Sequence, residues 1–235
     1  MTRPTSPRTT RRRRAARREI LDAAWSLLDA EGAAALTADA IAARADISKA
    51  SVFYYFPSME QVFGELLREE LHAYAAALTA AVEACDEPRS VLGEVVRLTH
   101  ARYTQRPERF ILIGAVPLTR GAAAVGLEDG EVARSVDPPF NAFIDVVEAR
   151  LAEVDLPQGV DPRRAAVAAH MAAMGAVLLC HTTRAAGGGF ARPESELVDD
   201  LVAAEPEQIE AEETAEDEPG TEVPELAADD LDEAL

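Results

Sequence analysis

The sequence has few of the residues from which enzyme centres are built. Of its 235 residues two are cysteines, Cys85 and Cys180, and their separation fits neither a metal site nor a redox pair, so we expect buried thiols. No Ser/His/Asp arrangement, CxxC, HExxH or glycine-rich phosphate loop occurs. The four histidines are His72, His100, His170 and His181. The last two lie eleven residues apart, about 16 Å along a helix, which is too far for one metal ion. We therefore predict no enzyme, no metal site and no cofactor.

Long apolar runs and aromatic residues are also scarce. No apolar run reaches the length that spans a bilayer, and no apolar segment follows the arginine-rich start of the chain. These features predict a cytoplasmic protein with no membrane partner. Aromatic residues make up 5 % of the chain, whereas hydrophobic residues, many of them alanine, make up 48 %. Because alanine favours helices over strands, the composition predicts an all-α fold.

Residues 37–63 concentrate what the rest of the chain lacks. They contain Lys49, the only lysine, and five of the twelve aromatic residues. Thr37 and Ser48 are each placed to cap a short helix, and Pro57 ends the second one. Two short helices joined by a tight turn are typical of a DNA-reading helix-turn-helix. A helical hairpin whose aromatic residues form a core fits the same spacing.

A resemblance to a known family favours DNA reading. Residues 18–63 resemble the DNA-binding domain of the TetR family of bacterial transcriptional regulators (TetR/AcrR-like). The matching segments are Ile20-Leu21-x-Ala23-Ala24, Glu31-Gly32, Thr37-x-x-x-Ile41-Ala42 and Ile47-Ser48-x-Ala50-Ser51-Val52-Phe53-Tyr54-Tyr55-Phe56-Pro57-Ser58-x-Glu60. Four positions depart from the pattern. Asp46 and Ala50 stand where glycine is common, Phe53 where tyrosine is usual, and Met59 where a lysine commonly contacts phosphate.

The resemblance implies a double-stranded DNA operator as partner, bound by the second short helix. The basic start of the chain is expected to add phosphate contacts. The predicted DNA-binding residues are Thr37, Ser48, Lys49, Ala50, Ser51, Phe53, Tyr54, Tyr55, Arg11, Arg12, Arg13 and Arg14.

Charge divides the chain unevenly. The formal net charge is −19, but residues 193–235 hold 18 acidic and no basic residues, whereas residues 1–18 hold eight arginines and no acid. We predict a disordered arginine-rich arm at 1–14 and a disordered acidic tail at 205–235. Between them we place the helix-turn-helix domain at 15–64 and a larger helical ligand-binding and dimerisation domain at 65–204.

Periodicity and start signals predict the helices of these domains. Residues 114–136 are punctuated by glycine and receive no firm boundaries. Helices are predicted at 16–30, at 58–84, at 87–105, from Pro107 onward, at 137–153, at 161–186 and at 194–203. The Asp-Pro pairs at 137–138 and 161–162 mark two of these starts.

The resemblance implies a homodimer formed through the last two long helices, and a pocket for a small-molecule effector that the sequence does not name. The expected interface residues are Phe140, Phe143, Val147, Leu151, Ala169, Ala172, Ala173 and Ala176. These residues also fit an intramolecular core face. The expected ligand-binding residues are His100, Tyr103, Phe110, Met171 and Met174.

We therefore expect a ligand-responsive DNA-binding transcriptional regulator, a repressor rather than an activator, which a small molecule releases from its operator. The alternative is a helical small-molecule-binding or partner-binding protein whose DNA recognition is weakened or lost, as Phe53 and Met59 permit. The eight arginines of residues 1–18 and Lys49 favour the regulator. A metal-dependent or covalent enzyme is the reading that the sequence supports least.

Overall fold

A computed structural model describes residues 7–115, 131–154, 156, 159–189 and 193–203 of the chain. Within these residues the regular structure is helical and no strand occurs, so the fold class is all-α, as predicted. The described α-helices are α1 (Pro7–Glu31), α2 (Ala38–Arg44), α3 (Lys49–Tyr55), α4 (Met59–Glu83), α5 (Val91–Gln105), α6 (Pro107–Phe110), α7 (Glu131–Leu151), α8 (Pro162–Ala185) and α9 (Glu194–Ala203). A π-helical turn, Ile111–Ala115, follows α6 directly. The predicted tail lies outside the described residues, as do residues 1–6 of the predicted arm.

Helix α1 begins nine residues before the predicted start at 16. Residues 7–14, which we expected to belong to a disordered arm, form its first turns. Arginine is a good helix former. These turns therefore extend α1 toward its N-terminus, while the buried face of its later part holds the helix in place. The helix ends before Gly32, whose φ of 83° is the left-handed conformation that glycine adopts without strain.

A first hydrophobic core joins α1, α2, α3 and the start of α4. Its centre consists of side chains that are at most 1 % exposed: Ile20, Ala24, Leu28, Ile41, Val52, Phe56, Val62 and Leu66. The apolar faces of α1, α2, α3 and the start of α4 therefore all point into the same core. This packing fixes the position of α3 relative to α1 and α4.

A second hydrophobic core joins the later part of α4 with α5, α6, α7 and α8. Helix α4 packs along α7, and α5 packs along α8. Helix α9 packs on α5, and its Val198 belongs to one buried cluster with Val96 of α5 and Ala173 of α8. Because α4 has 25 residues, about 37 Å of helix, it belongs to both cores. Its residue Leu66 lies in the first core and Leu78 in the second.

Most predicted helix boundaries agree with the structure, but the start at 137 is wrong. Helix α7 begins at Glu131 and continues through Pro138 and Pro139, although each proline lacks the N–H that the helix would use. The corresponding signal at Asp161 is correct. Its carboxylate accepts the Arg164 N–H at 2.8 Å and caps α8. That helix ends before Gly187, which has a φ of 73°.

Helix α8 contradicts the prediction that no apolar run is long enough to span a bilayer. By length and composition alone, α8 is long and apolar enough to cross a membrane. Its histidines and glycine interrupt the apolar run, and for this reason the sequence appeared to contain no such segment. The apolar side chains that α8 exposes are described below.

Candidate DNA-binding surface and the junction behind it

Caps and one strained turn build the helix-turn-helix. The Thr37 hydroxyl oxygen accepts the Ala40 N–H at 3.2 Å, and the Ser48 hydroxyl oxygen accepts the Ser51 N–H at 3.1 Å. Both caps were predicted from the sequence. Between the helices, Asp46 has a φ of 54° and is the only non-glycine residue with positive φ in the described part of the chain. The turn therefore requires the left-handed conformation at the position where the resemblance expects glycine.

Helix α3 buries one face and exposes the other. Val52 and the following Phe56 are completely buried. Tyr54 is 72 % exposed and Phe53 is 39 % exposed. The remaining residues predicted to bind DNA are exposed or half-buried: Thr37, Ser48, Lys49, Ala50, Ser51 and Tyr55. The reading in which the aromatic residues form only a core therefore holds for Phe56 and fails for Tyr54.

Lys49 forms an ion pair that the sequence did not predict. Its Nζ lies 2.7 Å from Oδ2 of Asp39, in the first turn of α2. Both side chains are more than half exposed. The Lys49 ammonium group at the start of α3, the predicted recognition helix, is therefore held by a carboxylate of the neighbouring helix α2.

Arg17 fixes the end of α3. Its Nη1 donates to the Tyr55 carbonyl oxygen at 2.7 Å, and its Nη2 donates to Glu65 at 2.7 Å. The guanidinium carbon lies 4.1 Å from the centre of the Phe56 ring. Burial, followed by the positive charge of Arg13, lowers the pKa of Arg17. Sequence reasoning counted this arginine only among the eight of residues 1–18 and gave it no role of its own, whereas its contacts tie α1 to α3 and α4.

The basic start of α1 lies beside the recognition helix. Arg12, Ser51 and Tyr55 line the same cavity of about 320 Å³. Arg11, Arg12, Arg13 and Arg14 are all exposed, and the first turn of α1 carries no acidic residue. The positive end of the helix dipole therefore adds to the charge of the arginines. Together they form a surface that suits the phosphate backbone of DNA.

Met59 has a different environment from the one that the resemblance suggests. It is the first residue of α4, and its side chain is half-buried against the first core. Ser58 caps this helix by accepting the Gln61 N–H at 3.4 Å. An apolar contact here takes the place of the expected phosphate contact.

The predicted ligand-binding residues divide between the interior and the surface. Tyr103 is completely buried, Phe110 is 6 % exposed, and Met174 packs against the same second core. His100 is half-buried. Met171 does not belong to this group, because it is 67 % exposed on the outer face of α8. Periodicity placed it on an apolar stripe but could not show which way that stripe faced.

Tyr103 lies among aromatic rings, and the guanidinium carbon of Arg102 is 5.9 Å from the centre of its ring. Its ring centre is 5.2 Å from that of Tyr74 and 5.6 Å from that of Phe110, and His181 stacks 5.3 Å beyond Phe110. Among the described residues the buried Tyr103 hydroxyl has no hydrogen-bond partner. Burial raises the pKa of this phenol, so the hydroxyl stays protonated. The hydroxyl is buried close to the charged groups of Glu70 and Arg102.

His170 belongs to a buried polar chain that connects three helices. Its Nδ1 lies 3.2 Å from the Tyr74 hydroxyl, which lies 2.6 Å from the Thr99 hydroxyl. Thr99 donates to the Val95 carbonyl oxygen at 2.7 Å, so Tyr74 donates to Thr99 and accepts from His170. Burial lowers the pKa of His170 to about 4, so the imidazole is neutral near pH 7.

A buried ionic network lies at the junction of the two cores. The Glu70 carboxylate is completely buried, and it pairs with Arg102 at 2.7 Å and with Arg109 at 3.0 Å. Arg109 also donates to both carboxylate oxygens of Asp29 in α1, at 2.9 and 2.7 Å. Its guanidinium lies 4.4 Å above the centre of the Trp25 ring. The network therefore joins α1 and α4 to α5 and α6.

Sequence reasoning missed this network, although one signal was present. Glu70 falls at helical spacing on the apolar stripe of α4, between Leu66 and Tyr74. A charged residue on a buried stripe requires a partner, and arginine is a common one. The identity of the partners depended on how α5 and α6 pack, which the spacing did not reveal.

Four of the predicted interface residues are core residues, three of them in α7 and one in α8. Phe143, Val147 and Leu151 are at most 1 % exposed, because α7 turns this stripe toward α4 and α5. Ala173 is 1 % exposed under α9. Phe140 is half-buried, with its ring centre 4.8 Å from that of His170. The other predicted interface alanines are exposed or half-buried: Ala169, Ala172 and Ala176.

The exposed apolar face of α8 consists of other residues. Val167 is 37 % exposed, Met171 67 %, Leu178 50 % and Leu179 54 %. They recur at intervals that place them along one side of the helix. Large apolar side chains on one continuous exposed face are typical of a surface that binds another protein or a membrane.

A capped helix-turn-helix beside a basic helix, followed by a larger helical domain, is the architecture of a DNA-binding transcriptional regulator. Residues 20–66 match the bacterial regulatory proteins of the tetR family. The resemblance read from the sequence is therefore confirmed over these residues, and it supports a DNA-binding transcriptional regulator. No match was found among curated proteins.

Solved structures of regulators share the fold over most of the chain. The transcriptional regulator FadR from Bacillus subtilis, in complex with stearoyl-CoA, has a TM-score of 0.56 at 14 % identity over 80 % of this chain and 96 % of that chain. AibR, in complex with isovaleryl coenzyme A and operator DNA, has a TM-score of 0.53 at 20 % identity over 80 % and 96 %. A putative transcriptional regulator from Saccharomonospora viridis, in complex with choline, has a TM-score of 0.60 at 16 % identity over 81 % and 97 %.

Proposed function

We propose that the protein is a homodimeric repressor that binds a double-stranded operator and releases it when a small-molecule effector binds. The observation that carries this proposal is the construction of α3. Its buried face is fixed by Val52 and Phe56, whereas Tyr54 and Lys49 remain exposed. Ser51 and Tyr55 lie beside the basic start of α1.

The two parts of this surface have different tasks. Side chains of a helix in the major groove contact base edges and therefore carry sequence information. We assign this role to Lys49, Ser51 and Tyr54 of α3. The exposed arginines at 11–14 contact phosphates, which adds affinity for every sequence and makes binding sensitive to salt. The hydroxyl lost at Phe53 reduces the polar contacts of α3 but leaves its exposed face in place.

A second copy of the chain is the partner that we propose for the exposed face of α8. Helix-turn-helix proteins commonly bind two half-sites as symmetric dimers, which requires a self-complementary surface. Met171, Leu178 and Leu179 supply large apolar side chains, and the exposed Ala172 and Gly175 allow close helix approach. This assignment replaces the buried residues of α7 that the sequence suggested.

The effector site that we propose lies among the aromatic residues of the second core. The residues that we propose to line this site are Tyr103, Phe110, Met174 and His100. Met171 is left out because its side chain is exposed. A buried hydroxyl without a partner costs about 1–3 kcal/mol, so a ligand that hydrogen-bonds to Tyr103 gains from satisfying it. The regulators of similar fold described above are in complex with coenzyme A thioesters or with choline. None of these molecules is assigned to this chain.

Residues 109–112 provide the physical connection between the effector site and the DNA-binding domain. Phe110 packs in the second core, whereas Leu112 is completely buried in the first. Arg109 holds Glu70 of α4 and Asp29 of α1 at the same time. An effector that displaces Phe110 therefore moves the anchors of both helices. A ligand shifts such an equilibrium by its difference in affinity for the two arrangements.

A reporter experiment tests the repressor assignment. The DNA upstream of the protein's own gene is fused to a reporter in a host that lacks the gene, and the protein is then supplied from a second plasmid. We expect reporter output to fall with the wild-type protein and to stay high with Lys49→Ala/Tyr54→Ala. An increase with the wild type contradicts repression. Unchanged output, with the protein present, contradicts control of this promoter.

A further inference from the structure

We propose that Asp39 is a positioning residue that sets the DNA specificity of this regulator by holding Lys49. The inference rests on the proposed role of α3 in DNA reading. Asp39 lies outside the recognition helix, in the first turn of α2, and sequence reasoning assigned it no role. Its carboxylate binds the only lysine in the protein, and that lysine is the first residue of α3.

The geometry places a carboxylate on the surface that faces DNA. Lys49 Nζ and Asp39 Oδ2 are 2.7 Å apart, and the two side chains are 53 % and 72 % exposed. Lys49 lies where the dipole of α3 is positive, and the first turn of that helix carries no acidic residue. Asp39 therefore compensates an otherwise unfavourable charge. It also restricts a long side chain that would otherwise sample many conformations.

The same pair affects operator and random DNA differently. An exposed ion pair contributes less than about 1 kcal/mol, so DNA can separate it. On random DNA the carboxylate competes with the phosphates for the Lys49 ammonium group. On the operator, a hydrogen-bond acceptor on a base edge within reach of the Lys49 ammonium group compensates for the loss of the ion pair with Asp39. Asp39 therefore lowers affinity for random sequences more than it lowers affinity for the operator. This raises the specificity ratio, which is the affinity for the operator divided by the affinity for random DNA.

Asp39→Asn tests this role because it removes the charge and preserves the shape of the side chain. The variant, the wild type, Lys49→Ala and the double variant are titrated with a duplex from the upstream region and with a scrambled duplex of equal length. Asp86→Asn is the matched control, since Asp86 is exposed beyond the far end of α4 and loses the same charge. All titrations are repeated at two salt concentrations.

We expect Asp39→Asn to raise affinity for scrambled DNA several-fold at low salt and affinity for the upstream duplex by a smaller factor. The specificity ratio then falls, and Asp86→Asn leaves it unchanged. In the Lys49→Ala background the same substitution leaves the ratio unchanged, because no ammonium group remains to be positioned.

Three results overturn the inference. Asp39→Asn with an unchanged ratio and a lower unfolding temperature means that Asp39 only stabilises the start of α2. A change of ratio that persists without Lys49 means that the carboxylate acts directly on DNA. Equal changes in Asp39→Asn and Asp86→Asn mean that only net charge matters. A wild-type protein that does not distinguish the two duplexes instead contradicts the proposed function, and this inference falls with it.

Discussion

Phe110 and Leu112 are two residues apart in the chain but lie in different hydrophobic cores. Phe110 contacts Tyr103 and His181 in the second core, and Leu112 is completely buried among the residues that support the recognition helix. Leu112 belongs to the π-helical turn Ile111–Ala115 that directly follows Phe110, and such turns are frequent at functional sites. A displacement of Phe110 in the second core is therefore passed directly to Leu112 in the first core.

Leu112→Ala should destabilise the DNA-binding domain without removing a DNA contact. Truncating a completely buried leucine costs about 2–5 kcal/mol, because part of the space it filled stays empty. Chemical denaturation measures this loss, and we expect operator affinity to fall with it. Ile111→Ala is the neighbouring control, because Ile111 is 37 % exposed and should change stability little. Equal losses for the two variants would contradict the assignment of Leu112 to the first core.

The left-handed turn at Asp46 predicts an order of stability. Asp46→Val should cost about 1–2 kcal/mol, because a β-branched side chain does not fit a φ of 54°. Asp46→Gly should be neutral or slightly stabilising, because glycine adopts this conformation freely. Thermal unfolding of the three proteins gives the order directly. A valine variant as stable as the wild type would show that the turn does not require this conformation.

His170 should make stability depend on pH in a defined window. Its pKa is about 4 in the fold against an ordinary value of 6.5, so the folded state disfavours the protonated form. This contribution to stability is complete above pH 6.5 and is lost as the pH falls toward 4. The loss amounts to about 3 kcal/mol.

The measurement compares the free energy of unfolding from pH 7 to pH 4 for the wild type and for His170→Gln. Carboxylates titrate in the same range, so the difference between the two proteins is the quantity of interest. We expect this difference to shrink as the pH falls. A difference that stays constant over the whole range would contradict a buried neutral imidazole.

The exposed face of α8 should control the oligomeric state. Leu178→Glu introduces a charge into the proposed dimer interface, which then has to desolvate it without a partner. We expect the wild type to have the mass of a dimer by light scattering, and the variant to have the mass of a monomer with unchanged helix content. Ala76→Glu, at an exposed position of α4, is the control and should stay dimeric. A monomeric wild type that binds lipid vesicles through this face would contradict the assignment.

The local elements of the DNA-binding surface could be predicted from the sequence because short-range chemistry determines them. Thr37 and Ser48 cap their helices as expected, and Val52 and Phe56 turn inward as their spacing indicates. The pair between Lys49 and Asp39 could not be predicted in this way, since it depends on the angle between α2 and α3.

Predictions that depended on the neighbour of a helix were less accurate. The stripe containing Val147 and the stripe containing Leu178 are both apolar, but the first is buried and the second is exposed. Periodicity identifies a stripe without showing whether the chain itself covers it. Pro138 was interpreted as a helix start, whereas α7 continues through it. Tertiary packing decides these cases, and a single sequence does not encode packing in a local pattern.

The central claim is that α3 reads sequence while the basic start of α1 supplies general affinity. The most direct test titrates the upstream duplex and a scrambled duplex, at two salt concentrations, with three proteins. These are the wild type, Lys49→Ala/Tyr54→Ala and a protein that lacks residues 1–14. We predict that the double variant loses its preference but keeps weak, salt-sensitive binding, and that the shortened protein binds both duplexes more weakly with a shallower salt dependence. A shortened protein with altered preference, together with a double variant that retains it, would contradict the account.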